Sequence, residues 1–275
     1  GNPDSSADNY LSFQEISGLK MLTTGAVQGT AVSLERMAFV RLDDLWIAGF
    51  DLGLSINGVE HSEFETVISR WNNRGIYATS ENLATHTGPN NLTFYSCHLG
   101  SNSKYGALFE YPTTVNFVGG SIENNGTESG TSLSASNWGI KFKNSGYQGG
   151  VACNLIGVYI ESNAGAADVW LENTTNEPTV DNSSVYSIVG CTFNRGVSTW
   201  YTANNIRCTF ALESQSERQK LSLINSSFKA FNTYVPDASR KTILFDGVPQ
   251  NANNFEAVGN IFDIDAKDID FSEYY

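Results

Sequence analysis

Positive charge is scarce in this chain: 16 Lys plus Arg stand against 29 Asp plus Glu among 275 residues, a formal charge of −13. Phosphate contacts need Lys and Arg, so nucleic acid and anionic membrane surfaces are excluded as partners. Long apolar runs are also missing. Nothing approaches the roughly 18 residues of a membrane span, so no membrane insertion is expected. Histidine is limited to His61, His86 and His98, and the four cysteines Cys97, Cys153, Cys191 and Cys208 show no CxxC spacing. That pattern holds no zinc site, and neither a metal nor an organic cofactor is expected. A sustained 3.6-residue apolar period is absent as well, which argues against a helical protein. Gly1–Asp8 carries no leader pattern and reads as a loop.

What the chain has in abundance is turn formers and β formers. Its 25 Gly and 28 Asn accompany 16 Phe and 12 Tyr. Asn tolerates the left-handed backbone that tight turns require. The reading is all-β.

A repeat fixes the architecture. Segments ending at Ile47, Trp71, Leu99, Ile122, Ile160, Phe193, Phe228 and Phe262 align, and that last column is wholly apolar. Three residues earlier stand Asp44, Ile68, Ser96, Gly119, Gly157, Gly190, Asn225 and Gly259, turn formers apart from Ile68. The units are 24, 28, 23, 38, 33, 35 and 34 residues apart, too irregular for leucine-rich or ankyrin arrays. A parallel β-helix accepts such drift, because insertions leave through one loop without disturbing the stacked strands. A second strand follows each unit, with Leu54/Ile56, Ile76/Ala78, Ala107/Phe109, Ile140/Phe142, Val169/Leu171, Phe210/Leu212 and Ile243/Phe245 pointing inward. The predicted fold is a right-handed single-stranded parallel β-helix of about eight rungs. It spans 19–265, after a lead-in at 1–18 and before an acidic tail at 266–275. The first coil, from Gly18, has little in front of it to cover its edge. The chain is therefore expected to be part of a longer polypeptide, or to have its ends covered by other subunits. Cys97 and Cys191 share a column at roughly 14 Å, too far for a disulfide, and the cysteines read as core filler.

The run from Gly18 to Gly58, with GGSIENNG at Gly119–Gly126 and GVYIESNAG at Gly157–Gly165, resembles the coils of bacteriophage tailspikes and capsule depolymerases of the pectate-lyase-like superfamily. The resemblance covers Leu19 to Asp265. It implies an extracellular homotrimer on a virion tail that binds, and often cleaves, a bacterial surface polysaccharide (capsule, exopolysaccharide or O-antigen). A secreted or cell-surface bacterial protein is the alternative location. Shared fold does not by itself establish a reaction.

Glycosidic hydrolysis commonly uses two carboxyl groups. One outward row, Gly100, Glu123, Glu161 and Asn194, stacks Glu123 on Glu161 at about 5 Å between backbones. A second, Thr79, Glu110, Lys143, Glu172, Glu213 and Asp246, makes neighbours of Glu172 and Glu213. The candidate catalytic residues are Glu161, Glu172, Glu213 and Glu123. Candidate sugar-binding residues are Trp170, Tyr159, Lys143 and Trp138, with the aromatics expected to be exposed beside the polar insertion Gly126–Asn137. Lys143 between two glutamates also fits plain surface charge pairing. Two other readings remain. A polysaccharide lyase would use a base and a cation, for which Arg70 and His98 on adjacent rungs and Tyr159 two rungs on are candidates. A non-catalytic adhesin would need none of these. Asp263, Asp265, Asp268 and Asp270 read as a solvated tail rather than a calcium site.

Overall fold

The computed structural model describes residues 11–24, 27–80, 88–126, 136–144, 151–174, 184–195, 202–210, 219–230, 241–246, 255–262 and 269–270. Among them every regular element is a β-strand, and every strand pairing is parallel. The protein is a parallel β-helix. One coil shows the plan. Asn90–Tyr95 lies on a first face, His98–Gly100 on a second and Tyr105–Glu110 on a third, and Thr114–Val118 then returns to the first face below Asn90–Tyr95. The strand Leu52–Arg70 bends around all three faces without a break. The first coil is built by Glu15–Leu22, paired with Arg41–Ala48. Ile269–Asp270, in the stretch expected as a tail, pairs with Ile243–Leu244. Asp263, Asp265 and Asp268 lie outside the described residues.

The corner between the first and second faces is one residue in left-handed backbone, repeated in every coil. It is occupied by Gly18, Asp44, Thr66, Ser96, Gly119, Gly157, Gly190, Asn225 and Gly259, all with φ between 49° and 68°. At Gly157 an added Cβ would meet nothing within 4 Å, so glycine is used there for its backbone freedom and not for lack of room. Thr66 corrects the predicted column. Ile47 pairs with Ser69, and Ser69 with Leu99, so the inward position belongs to Ser69 and not to Trp71. Trp71 is 54% exposed at the next corner. Moving this coil by two residues puts Thr66 in place of Ile68, so this corner alone is held by a β-branched residue.

The inward columns make one continuous core, and the coil spacing matches the stacking distance of rings. Phe64, Phe94 and Phe117 stack with centroids 4.5 Å apart at each step, and Phe193, Phe228 and Phe262 continue the habit at 4.6 and 4.9 Å. Ile122 lies directly on Ile160 as expected. All four cysteines are buried and free, and burial pushes the Cys97 thiol up to about 12. On the third face the residues that pair with Val169 and Leu171 are Ile206 and Cys208; Phe210 pairs with Asn173, and Leu212 lies outside the described residues.

The corner between the second and third faces is held by a buried amide ladder. The backbone N–H of Phe50 donates to Asn72 Oδ1, that of Asn72 to Asn102 Oδ1, that of Asn102 to Asn125 Oδ1, and that of Asn125 to Asn163 Oδ1. The Nδ2 groups of Asn102, Asn125 and Asn163 donate at 3.0 Å to the carbonyls of Ser69, Leu99 and Ile122. A tight corner strips backbone groups of strand partners, and each Asn supplies one acceptor and one donor in their place.

Candidate functional site

The predicted site residues occupy the same coils but separate onto two faces, with the Asn ladder between them. On the third face, Trp138 and Trp170 are only 9% and 8% exposed, which corrects the expectation that they offer open stacking surfaces. Tyr105 stacks on Trp138 at 5.1 Å, and Lys141 Nζ sits 3.4 Å from the Trp170 ring centre with the Arg207 guanidinium also over that ring. Trp138 Nε1 donates to the Ala107 carbonyl and Trp170 Nε1 to Thr209 Oγ1, so both indole donors are used internally.

The third-face carboxylates Glu110, Glu172 and Asp246 are in ion pairs, whereas the buried Asp168 accepts from the side-chain amides of Asn163 and Asn205. Glu172 accepts from Lys141 Nζ at 2.6 Å, with the side chains 14% and 8% exposed. Glu110 accepts from Lys143 Nζ at 2.8 Å and from the Tyr77 hydroxyl, and Asp246 is paired with Arg207. Burial pulls Lys141 below the usual lysine value, against the opposing pull of Glu172. Burial pushes Glu110 upward, but its bonds from Lys143 and Tyr77 outweigh that and hold it below the ordinary glutamate value. Tyr77 is pushed up to about 12 by burial and by Glu110. The register also corrects one neighbour: Glu172 lies against Thr209, and Glu213 falls outside the described residues. Lys143 does lie between Glu110 and Glu172 as expected, and its bond goes to Glu110.

The second face is arranged differently. Glu123 and Glu161 are direct register partners, which places their backbones about 4.8 Å apart. Among the described residues no cation stands within ion-pairing distance of either. Their partners are neutral. Ser121 Oγ donates to Glu123 at 2.7 Å, and the Tyr159 hydroxyl donates to Glu161 at 2.7 Å while accepting from Asn194 Nδ2 at 2.6 Å. Burial, reinforced by Glu161, raises Tyr159 above the ordinary tyrosine value. His98 Nδ1 lies 2.9 Å from Ser121 Oγ. Ser121 Oγ thus links the His98 imidazole to Glu123. Arg70 is not in the His98 column. Ile68 pairs with His98, while Arg70 lies over Gly100 and so stands in the column of Glu123 and Glu161, two coil steps above Glu123.

Like charges directly opposite on adjacent strands are destabilising, and the third face avoids them by alternating sign. The second face keeps two stacked carboxylates with an imidazole and a phenol on one hydrogen-bonded surface, the types that acid–base chemistry uses. Composition did not reveal the serine and asparagine that orient them. The signal was available: Ser121 and Asn194 stand in the same outward columns as His98 and Glu161.

A parallel β-helix with a polar outer face is the class these features define. No family profile matches the chain, and no curated protein does. Among solved structures it is similar to the A-module of mannuronan C-5 epimerase AlgE6 from Azotobacter vinelandii, with a TM-score of 0.63 and 11% identity over 92% of this chain. It spans 58% of that module's length. The A-module of the AlgE4 epimerase of the same organism aligns with a TM-score of 0.41 and 12% identity, over 92% of this chain and 72% of that one. At these identities the likeness is one of fold.

Proposed function

We propose that the chain binds a bacterial surface polysaccharide along its second face and hydrolyses it, with Glu123 and Glu161 as the carboxyl pair. The observation that carries this reading is the stacking of those two acids with no cation in ion-pairing distance among the described residues, in a chain that pairs Glu110, Glu172 and Asp246 on its third face. Carboxyl groups about 5 Å apart suit a retaining mechanism, in which one acts as nucleophile and the other as acid and then base. Tyr159 and Asn194 hold Glu161, and Ser121 holds Glu123. In this reading the protein is a tailspike-type depolymerase on a virion tail. Sister chains of a homotrimer would cover the apolar column Tyr95, Val118, Ile156, Val189, Ile224 and Val258 on the first face.

The test is a reducing-end assay on capsule and lipopolysaccharide. Wild-type protein releases new ends, and Glu161→Gln or Glu123→Gln does so at least about a hundredfold more slowly. Sedimentation showing a monomer at micromolar concentration overturns the trimer. One observation favours a second reading: the exposed imidazole of His98 is joined through Ser121 to Glu123 on the same surface. A lyase would release unsaturated uronates that absorb in the ultraviolet, and His98→Ala would abolish them.

A further inference from the structure

Above the glutamate pair, the second face carries features that hydrolysis at Glu123 and Glu161 does not use. Lys20, Trp46, Ile68 and His98 follow one another in a single outward column. At its upper end a cavity of about 180 Å³ is lined by Gly18, Lys20, Asp44, Leu45, Trp46 and Ile68. Trp46 lies along it, with its indole Nε1 buried and hydrogen-bonded to nothing. The Lys20 ammonium rests 4.7 Å from the Trp46 ring centre at the end of an exposed, flexible side chain. One rung lower, the Arg70 guanidinium lies 5.1 Å from the Trp71 ring centre, and its Nε is likewise buried without a partner. Arg70 runs over Gly100, whose absent side chain leaves it that path: Nε stands 3.1 Å from where a Cβ of Gly100 would be.

We propose that Lys20 and Trp46 form a distal subsite for an acidic sugar residue, with Arg70 between it and the glutamate pair in their column, so that the polysaccharide of this site is anionic. The inference rests on the reading of the second face as a glycan-binding surface. In a chain of charge −13, a polyanion is repelled unless local cations receive it. Lys20 and Arg70 are in no ion pair among the described residues, unlike Lys141, Lys143 and Arg207 on the third face. A flat indole beneath a movable ammonium can stack on a pyranose while the ammonium meets its carboxylate. Trp46 and Ser121 are three coil steps apart, about 14 Å, so a ligand reaching both the subsite and the glutamate pair spans several sugar units.

The experiment uses the full chain carrying Glu161→Gln, which separates binding from turnover. A panel of purified acidic and neutral capsular polysaccharides is titrated against it at low and high salt. The expected result is salt-sensitive binding of an acidic polymer, weakened about tenfold by adding Lys20→Met or Trp46→Ala and retained by Lys20→Arg. Lys20 is exposed, so Lys20→Met leaves the fold intact even if Trp46→Ala does not. Binding of neutral polymers alone, or affinity for an acidic polymer unchanged by Lys20→Met and Trp46→Ala, overturns the subsite while leaving the functional reading standing. If no polymer binds and the wild type cleaves none, both fall together.

Discussion

The second and third faces are built by the same coils from similar residue types, yet they use their acids in opposite ways. On the third face each glutamate sits beside a lysine, and indoles and aliphatic stems cover the pairs. On the second face two glutamates stack on each other and are steadied by hydroxyls and an amide. A buried pair is bound to its partner, since removing one member leaves an uncompensated charge. A stacked, neutrally hydrogen-bonded pair can exchange protons without dismantling anything. The number of carboxylates does not distinguish a structural surface from a chemical one; what lies within 3 Å of them does.

That contrast can be broken by reciprocal substitutions. Glu172→Gln should lower stability by about 3 kcal/mol while leaving any glycan cleavage near wild type, measured by denaturant unfolding beside the reducing-end assay. Glu161→Gln should do the reverse, with turnover down at least about a hundredfold and unfolding shifted by less than about 0.5 kcal/mol. If Glu172→Gln abolishes cleavage in a folded protein, the division between the faces is wrong. The double substitution Lys141→Met with Glu172→Met should recover most of the stability lost in Glu172→Gln, because apolar side chains of similar size replace a buried pair well.

Titration sharpens the same comparison. Glu110 is held below the ordinary glutamate value near 4.3, so its contribution is complete above that pH and is lost as pH falls through its lowered folded value. Tyr77, raised to about 12, contributes fully below the ordinary tyrosine value near 10 and loses that contribution as pH rises toward 12. Melting curves of Glu110→Gln should therefore be flatter than wild type at the acid end. The smallest effect expected is at the corner dividing the first and second faces. Gly157→Ala should cost about 1 kcal/mol, from backbone strain alone, because its Cβ meets open space.

Much of the fold was legible because its corner demands a left-handed residue in every coil, and Gly, Asn, Asp and Ser advertise that need. The coil at Ser69 was misread because a search for apolar columns cannot see a buried serine. Ser69 is satisfied inside by donating to the Gly75 carbonyl and accepting from Asn72, while the neighbouring Trp71 offered a false apolar end. On the third face Ile206, Cys208, Phe210 and Leu212 share one parity, so a two-residue period could not choose between them, and Glu213 was placed where Thr209 stands. The stacking of Glu123 on Glu161 was readable from the repeat alone. That Trp170 and Glu172 lie around a corner from them was not, because the asparagines that make the corner looked like ordinary turn composition.

The amide ladder has a sense of direction. Each coil's backbone N–H is received by the asparagine of the coil that follows it, so a coil is finished only by its successor. Cutting the stack from above takes a carbonyl partner from an Asn Nδ2 that, in Asn102, Asn125 and Asn163, keeps a second side-chain acceptor; cutting it from below strands a backbone N–H that has no second acceptor on the ladder. The molecule therefore has a growing end and a finished end, like a filament. Shortened versions should survive the loss of early coils better than the loss of the coil that carries Asn163.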